Sequence, residues 1–397
     1  MDSVCDIFKI GVGPSSSHTM GPRRAAERFL ERHPQAARFR VTLFGSLAAT
    51  GKGHLTDKAI LDVLGSERTE IVWEPTVFLA FHPNGMRFAA LDAEGRTFGD
   101  WEVYSIGGGF LSEGAAEEIH HAVNYPYTTM DGILKWYERT GKIFWEYVLE
   151  YEGQPVFDHM RRVWTVMREA VERGLSEEGV LPGGLGLQRK ASVYYRRASG
   201  MRDGLRGRGL LFAYALAVAE ENAAGSGLIA TAPTCGSAGV LPAVLYYLWK
   251  HHDVPEKRII RALATAGLIG SIVKANASIS GAEVGCQGEI GVACAMAAAA
   301  VSQIFGGSPN QIEYAAEMGL EHHLGLTCDP ICGLVQIPCI ERNAFAAARA
   351  MDANMYASLS DGRHNISFDK VVRAMLETGH DLPNLYKETS TGGLAKD

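Results

Sequence analysis

The sequence lacks the features that place a protein on nucleic acid, in a membrane or outside the cell. Its 38 Lys and Arg residues are outnumbered by 45 Asp and Glu residues, and the net charge of −7 disfavours nucleic acid and anionic membranes as main partners. The N-terminus, MDSVCDIFKIGVG, has acidic residues where a signal peptide needs basic ones. The longest weakly polar run, Ile290 to Phe305, is Ala-rich and shorter than a membrane span. These absences predict a cytoplasmic protein that binds neither nucleic acid nor a membrane.

The chain also shows no disulfide framework, internal repeat or low-complexity tract. Seven cysteines are an odd number in a chain of 397 residues, which does not fit a disulfide-rich fold. In the cytoplasm, reduced thiols remain available for binding a metal. A chain of this length is expected to form two domains, each large enough to bury a hydrophobic core.

The pattern of predicted secondary structure changes near residue 125. The first part mixes helices with strands: we predict strands at Phe39–Phe44 and 97–105, and a hairpin of Thr76–Phe81 with Met86–Leu91 around the Pro83-Asn84-Gly85 turn. The second part is helical, with helices predicted at 130–140, 156–173, 210–221, 240–251, 255–275 and 291–305. The predicted fold class is therefore an α+β N-terminal domain, residues 1–125, followed by a mostly α-helical domain, residues 126–397.

Three cysteines near the C-terminus stand in turn-rich segments of Gly, Pro, Asp and Glu. Cys286 lies in SISGAEVGCQGE, Cys328 in LGLTCDP and Cys339 in VQIPCIERN, with spacings C-x41-C and C-x10-C. Three thiolates are one short of a closed zinc site, and they leave one iron of a [4Fe-4S] cluster free to act as a Lewis acid. The alternative is three small buried hydrophobic residues. Spacing alone also allows Cys332 in place of Cys328.

A hydroxyl-rich loop precedes the first predicted helix. In GPSSSHTMGPRRAAERFL, Pro22 fits the first turn of a helix, and the loop would offer backbone N–H groups and hydroxyls to an anion such as an amino-acid carboxylate. The alternative is an ordinary capped helix. His18 sits among polar residues of this loop rather than on an apolar face, which makes it a candidate for proton transfer.

A second polar turn carries His54 in GSLAATGKGHLTD. The segment does not match a phosphate-binding loop, because Gly45 and Gly51 are separated by five residues and Gly53 stands where Ser or Thr is required after the lysine. A histidine held in a short turn near a cleft can act as a general base close to neutral pH. The alternative is a surface histidine.

A rival hypothesis is a pyridoxal-phosphate enzyme. Gly236-Ser237-Ala238-Gly239 precedes an apolar helix and could cradle a phosphate, and Lys274 in SIVKANAS could form the Schiff base. We prefer to interpret Lys274 as a side chain that reaches solvent from the end of an apolar helix. Asn276, next to the cysteine segment, is a candidate substrate contact.

The sequence resembles the iron-sulfur L-serine dehydratases, in their single-chain form with both family domains fused. The resemblance runs in order from Asp6 to the last few residues, through GVGPSSSHTMGP, GSLAATGKGH, YSIGGGF, the three cysteine segments and ETSTGGLA. It implies a [4Fe-4S] cluster on Cys286, Cys328 and Cys339, with Cys328 chosen over Cys332. It also implies that His54 removes the α-proton with His18 nearby, and it places further residues of the first loop in the active site: Ser15, Ser16, Ser17 and Thr19.

The resemblance implies an L-serine ammonia-lyase that forms pyruvate and ammonia, with the cluster as Lewis acid. A homodimer is expected. The first domain resembles a known allosteric substrate-binding domain, so regulation by serine is also expected. Two other functions stay open on the residues alone: a pyridoxal-phosphate-dependent amino-acid dehydratase, and a non-catalytic iron-sulfur sensor or electron carrier. The second is disfavoured because such proteins usually supply four ligands to their cluster.

Overall fold

The computed structural model describes residues 1–114, 123–390 and 392–396. The strands within these residues are β1 (Ile10–Val12), β2 (Arg38–Phe44), β3 (Thr69–Glu74), β4 (Gly85–Leu91), β5 (Thr97–Ser105), β6 (Leu111–Ser112) and β7 (Leu228–Ala230). The helices of the first part are α1 (Gly21–Arg32), α2 (Gly45–Thr50) and α3 (Thr56–Leu64). Those of the second part are α4 (Met130–Thr140), α5 (Phe144–Glu152), α6 (Pro155–Ser176), α7 (Ala191–Ser199), α8 (Asp203–Ala224), α9 (Val240–His251), α10 (Glu256–Asn276), α11 (Gly281–Val284), α12 (Val292–Ile304), α13 (Pro309–Glu321), α14 (Cys339–Ser358) and α15 (Phe368–Asp381).

Strands β2 to β6 form a mixed sheet in the order β3-β2-β4-β5-β6, in which only β2 and β3 run parallel. Along β2 the residues Phe39, Val41 and Leu43 are buried, because alternate side chains point to the same face of a strand. This face packs under helix α1, where the ring of Phe29 lies 5.3 Å from the ring of Phe88 on β4. The sheet and its helices therefore have a small core of their own.

The predicted α+β class of the first part is confirmed, but the hairpin prediction is wrong in one strand. Residues 76–81 form no strand; the strand that precedes β4 in the chain is β3, which ends at Glu74 before Pro75 and pairs with β2 rather than with β4. Proline cannot donate a sheet hydrogen bond, and the following aromatic run is exposed, with 66% of the Phe78 surface accessible. The edge strand β3 was missed because its residues are nearly all half-buried and give no alternating pattern.

The second part is helix-rich, as predicted, with Met130–Thr140 and Val240–His251 forming helices over the predicted residues. Helix α12 lies at its centre: all residues from Val292 to Ser302 are buried, as expected of a helix that is apolar on every side. Small residues let the helices approach closely. A side chain at Gly174 on α6 would collide with the backbone carbonyl of Ala217 on α8.

The division at residue 125 stays a prediction. The N-terminal segment packs with the helical part, since Val4, Ile7 and Phe8 belong to its core and β1 pairs with the short strand β7. One helix among the described residues, α10, is long and apolar enough to cross a membrane by length and composition, and 78% of its apolar window is buried inside the protein.

Candidate active site

The first histidine loop forms one π-helical turn at Ser16–Met20 that leads directly into α1. Ser15 caps this turn: its hydroxyl accepts a hydrogen bond from the backbone N–H of His18 at 3.0 Å, and its own N–H donates to the Thr19 hydroxyl at 3.0 Å. The cap turns the His18 side chain inward, where it is completely buried.

The second histidine lies in the turn between α2 and α3 and is bound to the first loop by two reciprocal hydrogen bonds. The Thr19 hydroxyl donates to the carbonyl of His54 at 2.7 Å, and the Thr56 hydroxyl donates to the carbonyl of His18 at 2.6 Å. The two imidazole rings consequently lie edge to face, 4.5 Å apart between centroids. The structure therefore brings together the two histidines that the sequence places 36 positions apart.

Hydrogen bonding fixes the tautomer of His54. The single hydroxyl proton of Thr50 is donated to the carbonyl of Ser46 at 2.9 Å. The same hydroxyl lies 3.3 Å from Nδ1 of His54, where it can then act only as an acceptor. Nδ1 therefore carries the imidazole proton. The other ring nitrogen, Nε2, is left with its lone pair and can take up a proton.

Burial keeps His54 in its neutral form. Removal from water, and second the neighbouring His18, lower the pKa of His54 to about 3. At neutral pH the ring is therefore uncharged, which is the form that a general base requires.

Glu388 completes this group, and no sequence pattern singled it out. Its carboxylate oxygen Oε1 lies 3.1 Å from Nδ1 of His18 and 3.3 Å from the Ser17 hydroxyl. Burial alone would raise the pKa of Glu388, but the charge and hydrogen bond of His18 outweigh it and lower the pKa to about 2. Glu388 is thus ionised at neutral pH.

The C-terminal segment that carries Glu388 is held against the second cysteine loop. The N–H of Cys328 donates to the carbonyl of Tyr386 at 2.8 Å, and the N–H of Thr389 donates to the carbonyl of Cys328 at 3.1 Å. Further along, the N–H of Leu394 donates to Oδ2 of Asp329 at 2.8 Å. Local sequence could not predict this position, because it depends on contacts with residues about sixty positions upstream.

Gly393 is required for this arrangement, and its replacement provides a test. Its φ of 57° is in the left-handed region, and a Cβ atom would collide with the carboxylate of Asp329. We expect Gly393→Ala to lower the unfolding temperature, or to release the tail, by more than Gly95→Ala does. Gly95 has a φ of 82° but open space around it, so it controls for backbone strain alone. Equal melting curves and equal proteolysis of the C-terminal segment in the two variants would contradict the predicted collision.

The three predicted cysteines converge on one cavity together with His54 and Glu388. Cys286 comes from the turn before α12, Cys328 from the segment after α13, and Cys339 from the first turn of α14; all three are buried. Cys332 is exposed and does not line this cavity, and Cys294 is buried within α12. The geometry thus supports Cys328 over Cys332.

The chemistry of the site fits a metal group held by three thiolates. All seven cysteines are free. A hydrogen bond with Cys286 and burial raise the pKa of Cys328, and burial raises that of Cys339, so both carry protons that metal binding must displace. Although burial opposes it, the nearby cysteines raise the pKa of Arg342, whose cationic side chain is placed to balance thiolate charge.

Glu289 is a further residue of the cavity that sequence analysis missed. Its Oε2 accepts from Sγ of Cys286 at 3.6 Å, and its Oε1 accepts from the Thr234 hydroxyl at 2.7 Å. Burial, followed by the charge of Glu388, raises the pKa of Glu289 to about 7. The signal was present in the sequence, three residues after Cys286 in CQGE, but carboxylates are too common for that spacing to be informative.

The other residues that were predicted to bind substrate differ in their position relative to the cavity. Ser15 lines the cavity, whereas Ser16, Ser17 and Thr19 are buried in the histidine turn next to it. Asn276 is not among the residues that line the cavity; its amide binds the carbonyls of Thr128 and Ile272 at the end of α10.

The position of Lys274 argues against the pyridoxal-phosphate hypothesis. Nζ of Lys274 lies 2.7 Å from the Asp2 carboxylate and 3.2 Å from the centroid of the Phe110 ring. It is not among the residues that line the cavity, whereas Gly236 of the small-residue loop is.

Comparison with known proteins gives matches along almost the whole chain. The model of the serine dehydratase beta chain matches residues 3–68 and 62–116, and that of the serine dehydratase alpha chain matches residues 91–395. An L-serine dehydratase of Streptomyces coelicolor is 43% identical over 99% of this chain and 98% of its own length. L-serine dehydratases of Haemophilus influenzae and Escherichia coli are each 41% identical over 100% of this chain and 99% of their own lengths.

Proposed function

This chain belongs to the serine dehydratase family, with the beta-chain and alpha-chain modules in one polypeptide, and we propose that it converts L-serine to pyruvate and ammonia with a [4Fe-4S] cluster. The observation that carries the proposal is the single cavity that joins three buried cysteines to His54 and Glu388, which both contact His18. A sulfur-donor site and a proton-transfer site in contact suit the loss of water from a β-hydroxy amino acid.

Cys286, Cys328 and Cys339 would hold the cluster. When bound, it would supply a Lewis-acidic iron that makes the serine hydroxyl a better leaving group. Arg342 would balance the charge of the thiolates: its Nη1 is held by the carbonyl of Thr327 at 2.6 Å, and its Nη2 lies 3.7 Å from Asp329.

His54 would remove the α-proton of serine. Its Nδ1 proton is held by Thr50, so Nε2 is the nitrogen that accepts. The adjacent His18 is held on both ring nitrogens, by Glu388 on Nδ1 and by the Ser46 hydroxyl on Nε2, 3.2 Å away. His18 would therefore keep the base in place, while the positive charge that develops on His54 would be favoured by Glu388 and opposed by His18.

The substrate carboxylate would bind at the hydroxyl-rich turn. The first N–H groups of a helical turn have no acceptor within the turn, and here they precede α1, whose N-terminus favours an anion. Ser15, Ser16 and Ser17 would provide this binding site. Thr19 as a substrate contact stays a prediction, because its hydroxyl donates to the carbonyl of His54 and its N–H to the carbonyl of Ser15. Asn276 as a substrate contact stays a prediction, because its amide already binds two backbone carbonyls.

Replacing Thr50 tests the tautomer argument. Thr50→Val keeps the side-chain volume but cannot accept the Nδ1 proton of His54, so both tautomers become accessible. We expect kcat for pyruvate formation to fall about 5-fold, in line with one lost hydrogen bond of about 1 kcal/mol, with little change in KM. Thr50→Ser retains the hydroxyl and should recover most of the activity. Equal kcat values in Thr50→Val and the wild type would contradict the assignment.

The reaction itself is tested by anaerobic purification followed by a pyruvate assay with L-serine. A brown preparation that forms pyruvate supports the proposal. A yellow preparation that borohydride inactivates would indicate pyridoxal phosphate instead, and a brown preparation without lyase activity would indicate a sensor or electron carrier.

We propose a cytoplasmic homodimer, and regulation by serine stays a prediction. The free state of all seven cysteines agrees with a reducing compartment. Sedimentation of the purified protein, with and without L-serine, would give the oligomeric state.

A further inference from the structure

Two cavities meet at Glu388. One is the cavity of the three cysteines. The other is an open vestibule of about 610 Å³ between α2, the 75–83 loop and the C-terminal segment. Glu388 is the residue that lines both, and Ser46, which binds His18, lines the vestibule. A small molecule that reaches the cysteines from this side must therefore pass Glu388.

Among the described residues, only one oxygen of this carboxylate has hydrogen-bond partners. Oε1 is bound by His18 and Ser17, whereas Oε2 is buried and has no hydrogen-bond partner among the residues that the structure describes. A buried charged oxygen without a partner is unfavourable by several kcal/mol in general, so native sites rarely retain one without a ligand to bind it. The charge on this oxygen specifies a cationic ligand group.

The protein's own cations nearby are occupied elsewhere. Nζ of Lys387, the preceding residue, donates to the carbonyl of Gly379 at 3.2 Å. Arg342 lies against Thr327 and Asp329. These surroundings favour a cation from solution.

The backbone conformation of Glu388 is energetically unfavourable, which indicates that its side chain has a function at this position. Its φ of 48° lies in the left-handed region, where residues other than glycine are uncommon. The conformation is imposed from both sides, by the Ser46 hydroxyl on the carbonyl of Glu388 at 3.4 Å and by the Thr389–Cys328 bond. Strained residues of this kind cluster at ligand-binding sites.

We propose that Oε2 of Glu388 binds the α-ammonium group of the amino-acid substrate. This inference rests on the proposed function, since it identifies the residue by which that site recognises an amino acid. The ammonium donates to Oε2 while Oε1 remains on His18, so the substrate is joined to the histidine pair through one carboxylate. Glu388 thereby sets specificity for α-amino acids over 2-hydroxy acids of the same shape.

The test compares the binding of L-alanine and L-lactate. L-Alanine carries an ammonium group where L-lactate carries a hydroxyl, and neither has a β-hydroxyl that the enzyme could eliminate. Their binding to anaerobically purified holoenzyme is measured by calorimetry. We expect the wild type to bind L-alanine at least about 10-fold more tightly than L-lactate. In Glu388→Gln, which keeps the shape, L-alanine affinity should fall about 10- to 100-fold, the range for a hydrogen bond to a charged group, while L-lactate affinity changes little.

Two further variants separate recognition from structure. Glu388→Gly removes the side chain, so it should lose the preference for L-alanine, and relief of the positive φ should offset part of the stability that is lost with the His18 contact. Glu377→Gln makes the same substitution as the test variant on the exposed face of α15 and should bind like the wild type.

An unchanged preference in Glu388→Gln, or no preference in the wild type, would overturn the assignment. Pyruvate formation from L-serine by the wild type is measured separately. Failure of that assay contradicts the proposed reaction, whereas the binding preference addresses Glu388 alone.

Discussion

Replacing Cys286, Cys328 or Cys339 by alanine is expected to abolish both bound iron and the formation of pyruvate from L-serine. Each side chain supplies one of three sulfur donors to a single buried cavity, and no other cysteine among the described residues lines it. A cluster that loses one ligand would have two unprotected irons instead of one. Iron and sulfide analysis, together with the visible spectrum of anaerobically purified variants, gives the result independently of activity.

Cys294→Ala and Cys332→Ala serve as matched controls. Cys294 is packed within α12, so its loss should lower stability slightly and leave the iron content unchanged. Cys332 is exposed, with a φ of 55°, and its replacement should have little effect. If Cys332→Ala loses the iron while Cys328→Ala retains it, the ligand assignment is wrong.

Replacing His54 by alanine is expected to lower turnover by about 10²- to 10⁴-fold, the usual contribution of a positioned general base. The iron content and visible spectrum should remain those of the wild type, because His54 lies beside the cysteines but supplies none of the three thiolates. Exchange of the serine α-hydrogen with deuterated solvent should disappear in the same variant, since this exchange reports proton removal directly.

His54→Gln provides the control for shape and hydrogen bonding. Glutamine can still donate toward Thr50 but offers no basic nitrogen, so it should be as inactive as alanine. Wild-type turnover in either variant, or continued α-hydrogen exchange, would show that another group removes the proton.

The cysteine and histidine candidates were accessible from sequence because each stands in a short polar or turn-rich segment with unusual composition. The choice of Cys328 over Cys332 needed the family resemblance, and the structure supports it because Cys332 is exposed and does not line the cavity, whereas Cys328 is buried and does. The approach of His18 and His54 could not be deduced from spacing, since it depends on the Thr19 and Thr56 hydrogen bonds between two loops.

Glu388 shows the limit of sequence analysis more clearly. Its motif, ETSTGGLA, contributed to the resemblance, but nothing local indicates that the carboxylate returns to His18 from 370 positions away. The missed strand β3 has a different cause: it lies at the sheet edge, where half-buried residues leave no period-two pattern. Helices α4 and α9 and strand β5 have the bounds that were predicted from the sequence.

The most direct test of the central claim is to follow pyruvate formation from L-serine against iron content while the anaerobically purified protein is exposed to air. The account predicts a brown protein whose activity and iron are lost in proportion, because the iron without a protein ligand is the one that the reaction needs and that oxygen removes first. Full activity in colourless, iron-depleted protein would contradict it.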